Sequence, residues 1–233
     1  MVENISHKNL NNKFPKGFRY FHVVAIVFAV SLIIANTVAV KIISLAGLNI
    51  PAGILIFPIS YIANDILTEV YGFKKARSII WWSFVMLFVM TLVYYFATII
   101  KPADFWQNQE AFEVVFSVIP RIAIGSLVAF VVGSLLNSIV LSKMKVKMEG
   151  KHLWMRTIGS TVIGEGVDSI IFNIIAFWGI FDTASLITII GSGFLLKTLY
   201  EIAATPFTYF IINRLKKLED IDNYDIDVKY KAF

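Results

Sequence analysis

The chain contains no cysteine. That excludes disulfide frameworks, thiol catalysis and thiolate metal sites. Histidine is scarce: His7, His22 and His152 are the three in 233 residues, and all lie outside the centres of the apolar runs. No HExxH pair or histidine cluster is present to hold a metal, and no GxxxxGK[ST] loop is present to bind and hydrolyse nucleotide. No cofactor is therefore expected. Charge is also sparse, at 16% of residues against about 25% in an ordinary soluble domain. With 58% apolar residues, including 20 Phe, 9 Tyr and 5 Trp, a water-soluble domain of this length could not hide its apolar surface. A soluble enzyme and a disordered chain are both excluded, and the class is integral membrane protein.

Six stretches approach the ~20 apolar residues that a membrane-spanning helix needs. They are Tyr20–Ala46, Ile54–Tyr71, Ile79–Ile100, Ile122–Leu141, Thr157–Phe181 and Leu186–Ile212. They are too long and too weakly alternating for barrel strands, so the expected fold is all-α, a polytopic bundle of six transmembrane helices. The expected organisation is a tail over 1–19, a transmembrane domain over 20–212 and a second tail over 213–233. The first span follows a basic stretch, as a signal peptide would. It is too long for one and lacks an Ala-x-Ala exit, so it reads as a retained helix.

Lysine and arginine set the orientation. Seventeen of the 21 fall in the N-terminal tail, in 72–78, in 142–156 and in the C-terminal tail, all on one side of the expected bilayer. The opposite connections hold Lys101 and Arg121 alone. The asymmetry predicts that both termini are cytoplasmic. It also accounts for the net charge of +5 without invoking nucleic acid as a partner. The connection around Asp104, Trp106, Glu110 and Glu113 has room for a short interfacial helix.

The informative residues are ionisable groups inside the spans: Lys41, Asp65, Glu69, Glu165, Asp168, Lys197 and Glu201. Each charge at a helix centre costs ~2.5–3.5 kcal/mol on insertion scales, so seven unpaired ones would cost of order 20 kcal/mol. They must pair, stay neutral or line a wet cavity. At ~1.5 Å per residue, Asp65, Asp168 and Lys197 each lie ~16 Å into their spans. Asn36 and Glu201 fall near their span centres. Tyr61, Asp65 and Glu69 are spaced by four along one helix face; Glu165, Asp168 and Ser169 share another, as do Lys197, Tyr200 and Glu201. Asn173, Ser160 and Thr161 add hydrogen-bonding capacity.

Each charge also has a structural alternative. Lys41 could snorkel outward, and Glu69 could be a helix-end group near Lys74. Lys197 and Glu201 could form an i,i+4 bridge, and Glu165 could pair with a lysine to hold the bundle. Asp65 and Asp168, the deepest, are the strongest binding candidates. Five carboxylates against two lysines favour a cation or a donor-rich neutral ligand over an anion. With Tyr61, Phe57, Phe172 and Phe177 as stacking faces, a flat heterocycle with several N–H groups fits better than a bare metal ion.

The segment Phe57-Pro58-Ile59-Ser60-Tyr61-Ile62-Ala63-Asn64-Asp65-Ile66-Leu67-Thr68-Glu69-Val70-Tyr71-Gly72, followed by Lys75-Ala76-Arg77, resembles the queuosine precursor transporter family. So do Trp154-Met155-Arg156, Gly164-Glu165-Gly166-Val167-Asp168-Ser169, Ala176-Phe177, Lys197 with Glu201 and Pro206, and Asn36 with Lys41. The resemblance implies a multi-pass carrier of the bacterial inner membrane, of vitamin-uptake type. Its expected cargo is 7-cyano- or 7-aminomethyl-7-deazaguanine, or queuine. The expected partners are this small molecule and the lipid bilayer; a second copy of the chain is a further candidate. The substrate site would draw on Asp65, Asp168, Glu69, Glu165, Tyr61, Lys197, Glu201, Asn36, Asn173 and Phe177. The expected mechanism is alternating access without ATP hydrolysis. The alternative is a capture component that needs an energy-coupling ATPase partner.

Overall fold

The computed structural model describes residues 18–39, 41–45, 48–116, 119–179, 182–225 and 230. Most of the expected N-terminal tail lies outside the described residues, with Lys8, Lys13 and Lys16 of the orientation argument; so do Lys229 and Lys231.

The chain runs through α1 (Phe21–Val38), a short hairpin of β1 (Ile42–Leu45) and β2 (Leu48–Pro51), and a 3-10 turn (Ala52–Leu55). Then come α2 (Phe57–Ile66), a π-turn (Leu67–Tyr71), α3 (Phe73–Ile99), α4 (Gln109–Phe116), α5 (Ile119–Lys147), α6 (Leu153–Phe177) and α7 (Thr183–Glu219). Five helices, α1, α3, α5, α6 and α7, are long and apolar enough to cross a membrane. The architecture is helical, with α4 in the connection where a short helix was expected.

Two departures from the expected spans have local causes. The first span stops at Val38 rather than Ala46. Beyond it, Ile42 pairs with Pro51 and Leu45 with Leu48 across an antiparallel ladder, a use of β-branched residues that leaves Lys41 exposed at the hairpin's start. The second expected span becomes a composite. Pro58 sits in the first turn of α2, where its missing N–H costs nothing, so the helix starts there rather than at Ile54. Ten α-helical residues and a five-residue π-turn follow, about 22 Å in all at ~1.5 Å per residue, short of the ~30 Å hydrocarbon core. Gly72 then breaks the run. Its φ of +87° suits glycine, and a Cβ there would stand 2.4 Å from the Asn223 amide.

This composite is buried almost throughout, from Ser60 to Tyr71. It packs against α1, α5 and α7, while α5 packs against α3 and α6. The apolar core, with Phe28, Leu32, Leu67, Leu87 and Phe130, fills the space between α1, α2, α3 and α5. The outer faces of α3 and α7 show Phe88, Val93, Phe96, Leu195, Phe207 and Phe210 uncovered, as lipid-facing helices should. At 37 residues α7 is about 55 Å long, more than the ~30 Å of a bilayer's hydrocarbon core.

Candidate functional site

Polar groups from α2, α5, α6 and α7 meet in the middle of the bundle. On α2, Tyr61 and Asp65 are one turn apart and both buried, Asp65 completely. On α6, Glu165 and Asp168 are buried, and Lys197 from α7 lies 3.0 Å from the first and 2.9 Å from the second. The Lys197 ammonium also sits 4.3 Å from the centroid of the Phe57 ring, a cation–π contact. Tyr61 lies within electrostatic reach of Asp168, Glu165 and Asp65 together, and Glu201 from α7 within reach of Asp65.

These helices can bring such groups together because α5 and α6 nearly touch. A Cβ at Gly133 would fall 2.8 Å from the Asp168 Cβ, 2.9 Å from the Gly164 carbonyl and 3.0 Å from the Tyr61 hydroxyl. One at Gly164 would fall 2.8 Å from the Gly133 carbonyl. Small residues at a crossing let backbones approach in the way lipid-embedded helices pack. Here the approach also places Asp168 against Tyr61.

The cluster is under-satisfied. Four carboxylates, Asp65, Glu165, Asp168 and Glu201, face one ammonium, Lys197, and neither Asp65 nor Glu201 has a lysine or arginine at ion-pair distance among the described residues. The Tyr61 hydroxyl, Asp65 Oδ2, Asn137 Oδ1, Thr161 Oγ1, Ser169 Oγ and Glu201 Oε1 are buried and find no hydrogen-bond partner among the described residues. Native interiors hold few such atoms, and a concentration of them at one place calls for a reason. A ligand with several donors, able to satisfy them on arrival, is what this arrangement can accept.

A second polar cluster lies at the basic end, one turn from the first, and it differs in kind. Glu69, in the π-turn, is fully buried between three cations. Arg156 pairs with its Oε2; Lys216 lies 2.6 Å and Lys145 3.5 Å from its Oε1. Arg156 spends its remaining donors on the carbonyls of Lys151 and Gly150, and Lys145 donates to the carbonyls of Glu69 and Asn223. The residues after α7 fold back over this network. Asp222 pairs with Lys145 at 2.6 Å and Lys216 at 2.9 Å. Burial pushes its carboxyl up, but the hydrogen bonds and charges of those two lysines outweigh it and hold Asp222 below the usual carboxylate range. Asn223 donates to the Tyr71 carbonyl, Asp225 accepts from the Phe73 amide and Ser142, and Glu219 accepts from the amides of Arg19 and Tyr20 and the Tyr71 hydroxyl.

Of the expected site residues, Asp65, Tyr61, Glu165, Asp168, Lys197 and Glu201 come together in the middle cluster. Glu69 belongs to the basic-end network instead. Asn36 accepts from Ser126 on α5 and donates to the Leu32 carbonyl, and makes no hydrogen bond to the acids among the described residues. Asn173 is buried but donates to the Ser169 carbonyl of its own helix. Phe177 ends α6, and its side chain lies outside the described residues. Tyr200, assigned to the face of Lys197 and Glu201, is exposed. Lys197 and Glu201 do not bridge each other; the lysine crosses to α6. An open recess of about 280 Å³ near Lys101, Trp106 and Gln109 contains no buried acid and lies apart from both clusters.

Sequence reading passed over the polar stripe of α5. Ser134, Asn137 and Ser138 are buried against α2, where Asn137 donates to Asp65 at 2.5 Å, Ser138 to Asn64 at 3.2 Å, and Thr68 to Ser138 at 3.0 Å. Their i, i+3, i+4 spacing within an apolar span was the available signal. Arg156 and Lys145 were also missed, having been counted as loop charges although both are almost fully buried.

Residues 51–211 match the family model described as "Putative vitamin uptake transporter". The chain is 33% identical over 176 residues, 75% of its own length and 77% of the relative's, to a "Probable queuosine precursor transporter" of Bacillus subtilis (strain 168). It is 32% identical over 126 residues, 54% of its length and 51% of the relative's, to a protein of the same description from Haemophilus influenzae. It is 26% identical over 136 residues, 58% of its length and 59% of the relative's, to a "Queuosine precursor transporter" of Escherichia coli (strain K12). No solved structure matches. Apolar helices long enough to cross a membrane and these matches over most of the chain agree: the chain belongs to the queuosine precursor transporter family, of vitamin uptake type, and is a multi-pass membrane protein.

Proposed function

We propose that this chain imports a queuosine precursor of the 7-deazaguanine class across the bacterial inner membrane, by alternating access around the Asp65–Glu165–Asp168–Lys197–Glu201 cluster. The observation that carries the reading is the set of buried, unpartnered polar atoms gathered there from four helices. A deazaguanine presents ring and exocyclic N–H groups on one edge, which carboxylates accept in parallel. Its oxo group suits Lys197 as donor, and Phe57 and Tyr61, whose rings lie 5.3 Å apart, offer faces for stacking. Asp65 and Asp168 bind the ligand; Glu165 and Glu201 complete the acidic wall.

The basic end faces the cytoplasm in this reading, as lysine and arginine asymmetry favours, with α2 as a sixth, short and largely buried membrane element. Transport proceeds without ATP hydrolysis by the chain, which acts as a carrier rather than a catalyst. The test is uptake of labelled 7-cyano- and 7-aminomethyl-7-deazaguanine by cells lacking their own carrier. The wild-type chain should restore uptake, and Asp65→Asn and Asp168→Asn should each abolish it while reaching the membrane in normal amount. Full-rate transport by both variants would remove the site assignment. Uptake into liposomes containing the purified chain alone should match uptake in cells; dependence on an added ATPase would replace the carrier with a capture component.

A further inference from the structure

The acid next to the middle of the bundle does not stand alone, and its neighbour carries information about the ligand. Asn137 on α5 donates its amide nitrogen to Asp65 Oδ1 at 2.5 Å. In this bond the amide nitrogen is the donor and the carboxyl oxygen the acceptor. The amide oxygen is therefore turned away from that bond. Asn137 Oδ1 and Asp65 Oδ2 are both buried, and neither meets a donor among the described residues. Close packing limits any escape: a Cβ on Gly164 of α6 would stand only 2.8 Å from the Asn137 Cβ. Asp65 is fully enclosed as well.

We propose that Asn137 is a specificity-determining residue, which with Asp65 forms a two-acceptor edge that reads adjacent N–H donors, a ring N–H and an exocyclic amine, on a planar heterocycle. This deepens the carrier reading above and rests on it. Buried acceptors left unpaired disfavour any ligand that lacks the second donor, so the pair discriminates by exclusion as well as by attraction. Lys197, held by Glu165 and Asp168, is the donor for the oxo group, which in a guanine-type ring flanks the ring N–H on the same edge. Asp65 supplies one acceptor, its carboxyl oxygen; Asn137 supplies the second, its amide oxygen, which makes one donor insufficient.

The experiment compares uptake of 7-cyano-7-deazaguanine with that of its analogue lacking the 2-amino group, in cells without their own carrier. The wild-type chain should favour the 2-amino compound at least tenfold. Asn137→Ser keeps a hydroxyl that can donate to Asp65 but loses the carbonyl acceptor; Asn137→Ala loses both. Both should cut the preference about tenfold, the worth of one hydrogen bond, chiefly by admitting the analogue. Membrane abundance and elution as a single monodisperse species check folding. Wild-type uptake with a preference unchanged in Asn137→Ser overturns this assignment and leaves the carrier reading standing. A wild-type chain that takes up both compounds equally also overturns it, whether or not the variants fold. A wild-type chain that takes up neither overturns the carrier reading and this assignment together.

Discussion

Two polar clusters lie one turn apart along α2 and the π-turn that follows it, and they have opposite balance. Around Glu69 there are more cations than anions, and the excess is absorbed by Asp222 and by backbone carbonyls, so the network closes on itself. Around Asp65 there are more anions than cations, and buried oxygens are left over. A saturated network fixes geometry and has nothing left to give a ligand. An unsaturated one stores binding capacity at a cost in stability. The same residue type, a buried acid, therefore has two functions in one helix, and which function it has depends on what the neighbouring helices bring to it.

The largest expected effect breaks this comparison at its structural half. Removing one partner of a buried ion pair typically costs about 3–5 kcal/mol, because a charge is left uncompensated. Glu69→Ala would leave Arg156 and Lys216 facing each other with no acid between them. Its folded yield and melting temperature in detergent should collapse, whereas Asp65→Asn should keep the wild-type melting temperature within a few degrees and lose transport. Equal melting temperatures for the two variants would erase the distinction between the clusters.

That distinction was only partly legible in the sequence. Helices were legible because apolar runs and lysine-arginine asymmetry are local signals, and five of the six expected spans correspond to long helices. The burial of Asp65 and Asp168 was legible from their places inside apolar runs. Partners were not, because Arg156, Lys145 and Lys216 reach Glu69 from positions 76 to 147 residues away. Glu69 would share a face with Asp65 only if α-helical spacing held throughout. From Leu67 the chain winds as a π-turn, with more residues per turn, and the face rotates. The α5 stripe was not legible because neutral Asn137 and Ser138 carry no charge penalty that would mark them within an apolar span.

The next effects sharpen the comparison at the crossing that builds the middle cluster. Gly133→Ala and Gly164→Ala each place a methyl group under 3 Å from a backbone carbonyl of the facing helix, which cannot yield as a flexible side chain would. Overpacking of this kind costs ~1–3 kcal/mol. Both variants should melt earlier, and because Asp168 and Tyr61 border Gly133, its variant should also lose affinity in titrations with labelled deazaguanine. A more local effect is expected at the other cluster. Gly72→Ala must hold alanine at φ +87° and ψ 161°, which essentially only glycine adopts, and displace the Asn223 amide, at roughly 1–3 kcal/mol for the backbone. It should loosen the segment after α7, seen as faster hydrogen exchange over residues 220–225, and leave binding of deazaguanine intact.

The smallest effect is a pH dependence at Asp222. Its carboxyl is held below the ordinary aspartate value of about 3.9, because the bonds from Lys145 and Lys216 outweigh the cost of burial. A depressed folded value means that the stabilisation is complete above about pH 4 and fades as the pH falls through the folded value. The side chain is 44% exposed, so solvent screens the interaction and the contribution stays below about 1 kcal/mol. Hydrogen-exchange protection factors over residues 220–225 should be higher in the wild type than in Asp222→Asn near neutral pH, and the gap should close below about pH 4. A gap that persists in acid would mean that Asp222 holds the segment by its hydrogen-bonding shape, which asparagine shares in part, and that its charge contributes nothing to closing the basic end.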